Sequence, residues 1–129
     1  KDSSNGEENS VSEVLNKVGL LDRIEQRSGD LSYGHQRLLE LAMGMAQKPK
    51  LLILDEPTQG LSDSEIENFK KLIKDISSST TILLIEHNMD VVMSIADNIS
   101  VLHFGEIIAD GDKETIQNDP IVQKAYLGD

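Results

Sequence analysis

Two uninterrupted apolar runs do most to limit what this chain can become. Leu51-Leu52-Ile53-Leu54 and Thr81-Ile82-Leu83-Leu84-Ile85 lack polar alternation, the pattern of parallel strands covered on both faces. Asp55-Glu56-Pro57 ends the first run abruptly, and Glu86-His87-Asn88 follows the second. Between them, Ser62-Asp63-Ser64-Glu65 has the Ser-x-x-Glu form of a capping box. The helix it opens places Ile66, Phe69, Leu72, Ile73 and Ile76 on one face, and Ser77 to Thr80 break it. Strand, helix, strand is the alternation of an α/β sheet.

The flanks extend this pattern. Residues 1–10 are polar and without period, and read as a disordered tail or a cut loop. A helix follows from Val11, with Val14, Leu15 and Val18 on one face. A second runs from Tyr33 to Gln47 with Leu38, Leu41, Ala42 and Met45 on one stripe, and Lys48-Pro49-Lys50 stops it. Beyond the second strand come a short helix carrying Val91, Val92 and Ile95, and a hairpin of Ile99 to His103 with Glu106 to Ala109, turning near Gly105. Short helices near Lys113 to Gln117 and Ile121 to Tyr126 finish the chain.

Composition removes several functions. Twelve Lys and Arg against 23 Asp and Glu give a net charge of −11, which argues against phosphate-backbone binding and against adsorption to anionic lipid. The absence of Cys excludes disulfides and thiolate metal sites. No run approaches about 18 apolar residues, so no helix spans a membrane. With two Phe, two Tyr and no Trp, base stacking has few candidates. The chain starts at Lys1 rather than Met, and reads as an excised piece of a longer protein.

Ligands of parallel α/β sheets bind outside the carboxyl ends of strands. Here those ends carry Asp55 and Glu56 on one strand and Glu86 and His87 on the next. Such a set can hold a magnesium ion, activate a water and sense a phosphate. Strand-end acids also cap following helices, and taken alone the two readings stand about even.

Leu31-Ser32-Tyr33-Gly34-His35-Gln36, a helix, four apolar residues, Asp-Glu-Pro and a His after the next strand stand in that order. This array resembles the ABC ATPases over residues 11–129. The resemblance implies the C-terminal part of a P-loop (RecA-like) α/β core with mostly parallel strands, plus the end of the helical signature subdomain. Its parts would be a tail at 1–10, helical subdomain at 11–48, catalytic core at 49–111 and helical tail at 112–129. It implies ATP and Mg²⁺ as cofactors. Leu31, Ser32, Tyr33, Gly34, His35 and Gln36 match the signature, His35 at its variable position. In a head-to-tail dimer Ser32 and the Gly34 backbone would face the γ-phosphate bound to the partner, a role suited to a helix N-terminus. Asp55 matches the residue that orients Mg²⁺ through water. Glu56 matches the carboxylate that polarises the attacking water, and His87 the switch histidine. Gln59, Gly60 and Leu61 fall in the D-loop, where Gln59-Gly60-Leu61-Ser62 departs from the commoner Ser-Ala-Leu-Asp at three positions of four.

Bland roles compete with these. Ser32 can be a plain helix N-cap, and Gly34 a point of tight approach. His103, alternating with Ile99 and Val101 on one strand face, takes a core or surface place without function, and the Met residues pack.

No Gly-x-x-x-x-Gly-Lys-Ser/Thr occurs in the 129 residues, so the phosphate-cradling loop is missing. The resemblance puts that loop's strand between Thr81–Ile85 and Ile99–His103. The piece alone is therefore expected to be inactive, to bind ATP weakly, and to hide its open sheet by self-association.

Ile85-Glu86-His87-Asn88-Met89-Asp90, Ala96-Asp97, Gly105 to Gly111 and Ala125-Tyr126-Leu127-Gly128 resemble the ATPases of branched-chain amino-acid importers. Lipopolysaccharide-export ATPases and urea-importer ATPases are the alternatives. The implied partners are a second ATP-binding subunit (identical or not), transmembrane permease subunits and, indirectly, a substrate-binding protein, at the cytoplasmic face of the membrane, with no nucleic acid. Readings of other classes are a DNA-repair-type ABC ATPase, which would carry long coiled coils, and a non-catalytic interaction module, which nucleotide affinity would expose.

Overall fold

The computed structural model describes residues 3–127. They form two compact units, divided after His87. In the first, helix α1 spans Ser3–Lys17 and α2 spans Tyr33–Ala46. Strand β1 (Leu51–Asp55), helix α3 (Asp63–Ile76) and strand β2 (Thr81–Ile85) complete it.

The strand–helix–strand pattern is confirmed: β1 and β2 pair in parallel, with Leu51 opposite Thr81 and Asp55 opposite Ile85. α3 starts where the capping box put it. The Ser62 side chain accepts from the Glu65 N–H, and the Glu65 side chain accepts from the Ser62 N–H. The latter bond, with a second from the Ser62 hydroxyl, holds the Glu65 carboxyl below its ordinary range. Phe69, Leu72, Ile73 and Ile76 of α3 are buried, each contributing on the order of 1.5–3 kcal/mol of hydrophobic stabilisation. Ile66, read on the same stripe, is half-buried.

Two expectations are corrected. The strands are not covered on both faces: Leu51, Ile53, Leu83 and Ile85 are 48–57% exposed. Successive side chains point to opposite faces, and on the other one Gly44 of α2 lies against Leu52. α1 begins at Ser3, not Val11. Its first turns hold no Pro, and although Gly6 is a poor helix former, each residue added to an existing helix gains one backbone bond. Residues 1 and 2 of the expected tail, and Gly128, lie outside the described residues.

The second unit holds α4 (Met89–Ile95), β3 (Ile99–His103), β4 (Glu106–Gly111), α5 (Lys113–Gln117) and α6 (Pro120–Val122), which runs into a π-turn over Gln123–Leu127. β3 and β4 form an antiparallel hairpin closed by Phe104-Gly105, with His103 opposite Glu106. Both turn residues have positive φ, 47° and 83°, as the tight hairpin turn with the right twist demands. Ile99, Val101, Ile116 and Val122 form its core, with Val92, Met93, Ala96, Ile108 and Ala109 packed around them. His103 is structural here: its ring meets those of Phe104 and Tyr126 edge-on. Among the described residues the strands form two separate pairs, β1 with β2 and β3 with β4.

Candidate active site

The parallel register sets the carboxyl ends of β1 and β2 side by side. Asp55 ends β1, opposite Ile85. The next residue, Glu56, takes φ 46°, a left-handed conformation that costs a non-glycine residue about 1–2 kcal/mol. Its N–H donates to the Ile85 carbonyl at 2.8 Å, which ties the turn to β2 and offsets the strain. The bend carries the Glu56 carboxylate toward the segment after β2, where His87 Nδ1 lies 3.4 Å from Glu56 Oε1. The Glu56 and His87 side chains are 45% and 66% exposed. A water or phosphate can therefore reach both.

Glu86 turns the other way. Its side chain is 1% exposed and accepts from the Thr58 hydroxyl at 2.5 Å, the Thr58 N–H at 3.4 Å and the His87 N–H at 3.0 Å. Its Oε1 is also 3.8 Å from His87 Nδ1. Thr58 is itself buried. Strand-end position groups Glu86 with Asp55 and Glu56 and assigns no role to Thr58. Nothing in a polar loop's periodicity separates an inward-facing Thr from its neighbours.

The signature residues gather at the start of α2. Ser32 is its N-cap, accepting from the His35 N–H at 3.3 Å. The Gln36 side chain donates to the Leu31 carbonyl at 3.1 Å and braces the entry. Gly34 is buried, and a Cβ there would stand 1.8 Å from Glu65 Oε1. A side chain there would displace the Glu65 carboxyl from the capping box of α3, so glycine lets the start of α2 lie on that box. Tyr33 lies against Gly60, whose Cβ would fall 2.9 Å from the ring. The Arg37 guanidinium covers that ring 5.2 Å from its centroid and donates to the Tyr33 hydroxyl at 3.0 Å. Gly60 has φ 78°, so the loop of Gln59, Gly60 and Leu61 is built on a glycine conformation and seated beside the signature.

The structure thus brings together Glu56 with His87, and the Leu31–Gln36 segment with the Gln59–Leu61 loop. Among the described residues no three His, Asp or Glu groups form a metal cage. Magnesium keeps several waters and takes one or two carboxylates plus substrate phosphates. Asp55, exposed at the strand end, is the donor of that kind.

The chain is similar to proteins of one family. A family model described as "ABC transporter" matches residues 2–59, and one described as "Branched-chain amino acid ATP-binding cassette transporter" matches residues 106–129. The high-affinity branched-chain amino acid transport ATP-binding protein LivG of Escherichia coli is 44% identical over 117 residues, covering 89% of this chain and 46% of LivG. Its counterpart BraF of Pseudomonas aeruginosa is 45% identical over the same shares. The chain therefore spans about half the length of the curated relatives it matches. The ADP conformation of MJ1267, an ATP-binding cassette of an ABC transporter, superposes with a TM-score of 0.85 at 28% identity, covering all of this chain and 52% of that one.

Proposed function

The chain belongs to the ATP-binding family of ABC transporters, and from that premise we propose that it carries the hydrolytic carboxylate, switch histidine and signature of a subunit that couples ATP hydrolysis to import of branched-chain amino acids. The observation that carries the reading is the pair of parallel strand ends, where Glu56 and His87 converge to 3.4 Å beside Asp55.

The placement of these residues supports each role. Asp55 would hold Mg²⁺, which would supply charge neutralisation at the phosphates. Glu56 accepts a hydrogen bond from the attacking water and polarises it toward the γ-phosphate. His87, held against Glu56, offers its remaining ring nitrogen to that phosphate. Hydrolysis also needs groups that cradle the phosphates, and the 129 residues contain no such loop. The complete site therefore draws on further sequence.

The signature serves a second nucleotide. At the start of α2 the backbone N–H groups not used within the helix present partial positive charge to an anion. Ser32 stands at that end. In a head-to-tail dimer Ser32 and Gly34 face the γ-phosphate held by the partner subunit, and the Gln59–Leu61 loop, seated beside Tyr33, crosses the same junction. Permease subunits and a substrate-binding protein complete the assembly at the cytoplasmic face of the membrane. The amino-acid substrate rests on the likeness to LivG and BraF, because this subunit does not itself choose the cargo.

The test is turnover in the assembled transporter. In vesicles carrying the permease and binding protein, leucine, isoleucine or valine outside raises Mg²⁺-dependent phosphate release, and a sugar does not. Turnover indifferent to these amino acids would refute the substrate, and none with any cargo would refute the ATPase reading.

A further inference from the structure

The residue before the switch histidine is a carboxylate withdrawn from solvent, and the hydrolytic step just described makes no use of it. Buried carboxylates persist only where donors satisfy them. Glu86 accepts from the Thr58 hydroxyl, the Thr58 N–H and the His87 N–H. Two belong to the turn that follows Glu56, and the third to the residue that meets Glu56. Glu86 therefore bridges the two segments whose separation sets the Glu56–His87 distance.

Resting on the reading above, we propose that Glu86 and Thr58 are positioning residues, a buried latch that holds the turn after β1 against the segment after β2 so that Glu56 and His87 meet in hydrolytic geometry. The latch adds to a backbone tie that cannot do the work alone. The Glu56 N–H to Ile85 carbonyl bond fixes where the turn leaves the strand, but not how far the turn and His87 move afterwards. Thr58 lies two residues beyond Glu56 and is anchored by both its N–H and its hydroxyl. The carboxylate that holds it also accepts from the His87 backbone. A shift of either segment breaks one of these bonds. The left-handed backbone of Glu56 makes such restraint necessary, since a strained residue relaxes unless its surroundings fix it.

The hydroxyl is the accessible part of the latch. Thr58→Val keeps the size and removes the donor, so Glu86 Oε2 loses its 2.5 Å bond from the Thr58 hydroxyl. Glu86→Gln attacks the same link from the other end, because an amide cannot accept at both of its terminal atoms. Thr58→Ser restores the hydroxyl.

In the full-length subunit, with kcat and ATP KM measured separately, Thr58→Val and Glu86→Gln each lower kcat about 10- to 100-fold, the cost of misplacing a catalytic group by about an ångström. ATP KM stays within about twofold. Thr58→Ser recovers most of the rate. In a Glu56→Gln background, Thr58→Val costs much less than in the wild type, since the group being positioned is already disabled. Thermal melting accompanies each variant, and Thr58→Ala replaces Val should the latter not fold. A kcat within about threefold of wild type in both latch variants, a KM that rises as kcat falls, or failure of Ser to rescue would overturn the latch. The two readings fail separately: normal turnover in Glu56→Gln alone would overturn the functional assignment, whereas a deep loss there with none in Thr58→Val would overturn only the latch.

Discussion

Ser32 carries two loads, and one pair of substitutions separates them. Its hydroxyl caps α2, accepting from the His35 N–H at 3.3 Å in an exposed setting. N-cap losses span about 0.5–2 kcal/mol. The long, solvated bond places Ser32→Ala near the low end, about 0.5–1 kcal/mol. Ser32→Asp keeps a cap of equal rank and adds an anion at the positive end of the helix, a small gain, so its stability stays within a few tenths of a kcal/mol of wild type. The proposed phosphate contact reverses that order. A carboxylate about 4 Å from the partner's γ-phosphate, at an effective dielectric near 20, costs about 4 kcal/mol per pair of charges, or roughly a 10³-fold loss of the closed dimer. Urea unfolding of each variant is read beside ATP-dependent dimerisation and phosphate release in the full-length subunit. The more stable variant, Asp, is then the inactive one, and Ala retains part of its turnover. A Ser32→Asp protein that dimerises and hydrolyses like wild type would refute the assignment of Ser32 to the partner's phosphate.

Two further outcomes follow from local geometry. Gly60→Ala forces a side chain into φ 78° and sets its Cβ 2.9 Å from the Tyr33 ring; the backbone term alone costs about 1–2 kcal/mol, and an unchanged urea midpoint would contradict it. Asp112 caps α5, and its bonds to the Thr115 hydroxyl and N–H hold its carboxyl below its ordinary 3.8. The folded value being the lower one, this contribution is complete above pH about 4 and disappears as pH falls through the folded value. Asp112→Asn, still a cap but without charge, flattens the acid limb of the stability profile, and an unaltered limb would contradict it.

The local elements were legible because their signals are local. A capping box, a proline stop and a run of four aliphatic residues each act within a few positions. α3, the end of α2, β1 and the turn at Gly105 were accordingly found near their places. The exposure of Leu51 and Ile53 was not legible, because an apolar run states that both faces of a strand can be buried, not that both are, whereas the missing phosphate-loop strand already implies an open sheet beside Leu83 and Ile85. At the proposed site, Asp55, Glu56 and His87 stand out in the sequence by strand-end position and order. What remained hidden was the side-chain geometry that turns a list of residues into a constellation. The positive φ of Glu56 bends its carboxylate toward His87, and Thr58 points inward to Glu86. Neither has a sequence period, since each depends on contacts between segments nearly thirty residues apart.

The central claim is that Glu56 polarises the attacking water, and Glu56→Gln in the full-length subunit tests it most directly. The amide keeps the shape and loses the charge, so the transition state is weakened more than ATP binding. Phosphate release is followed alongside gel filtration with ATP and Mg²⁺. The account predicts turnover lowered about 10²- to 10⁴-fold and an ATP-bound dimer that persists through the column. Near-normal turnover, or loss of turnover with no dimer retained on ATP, would contradict it.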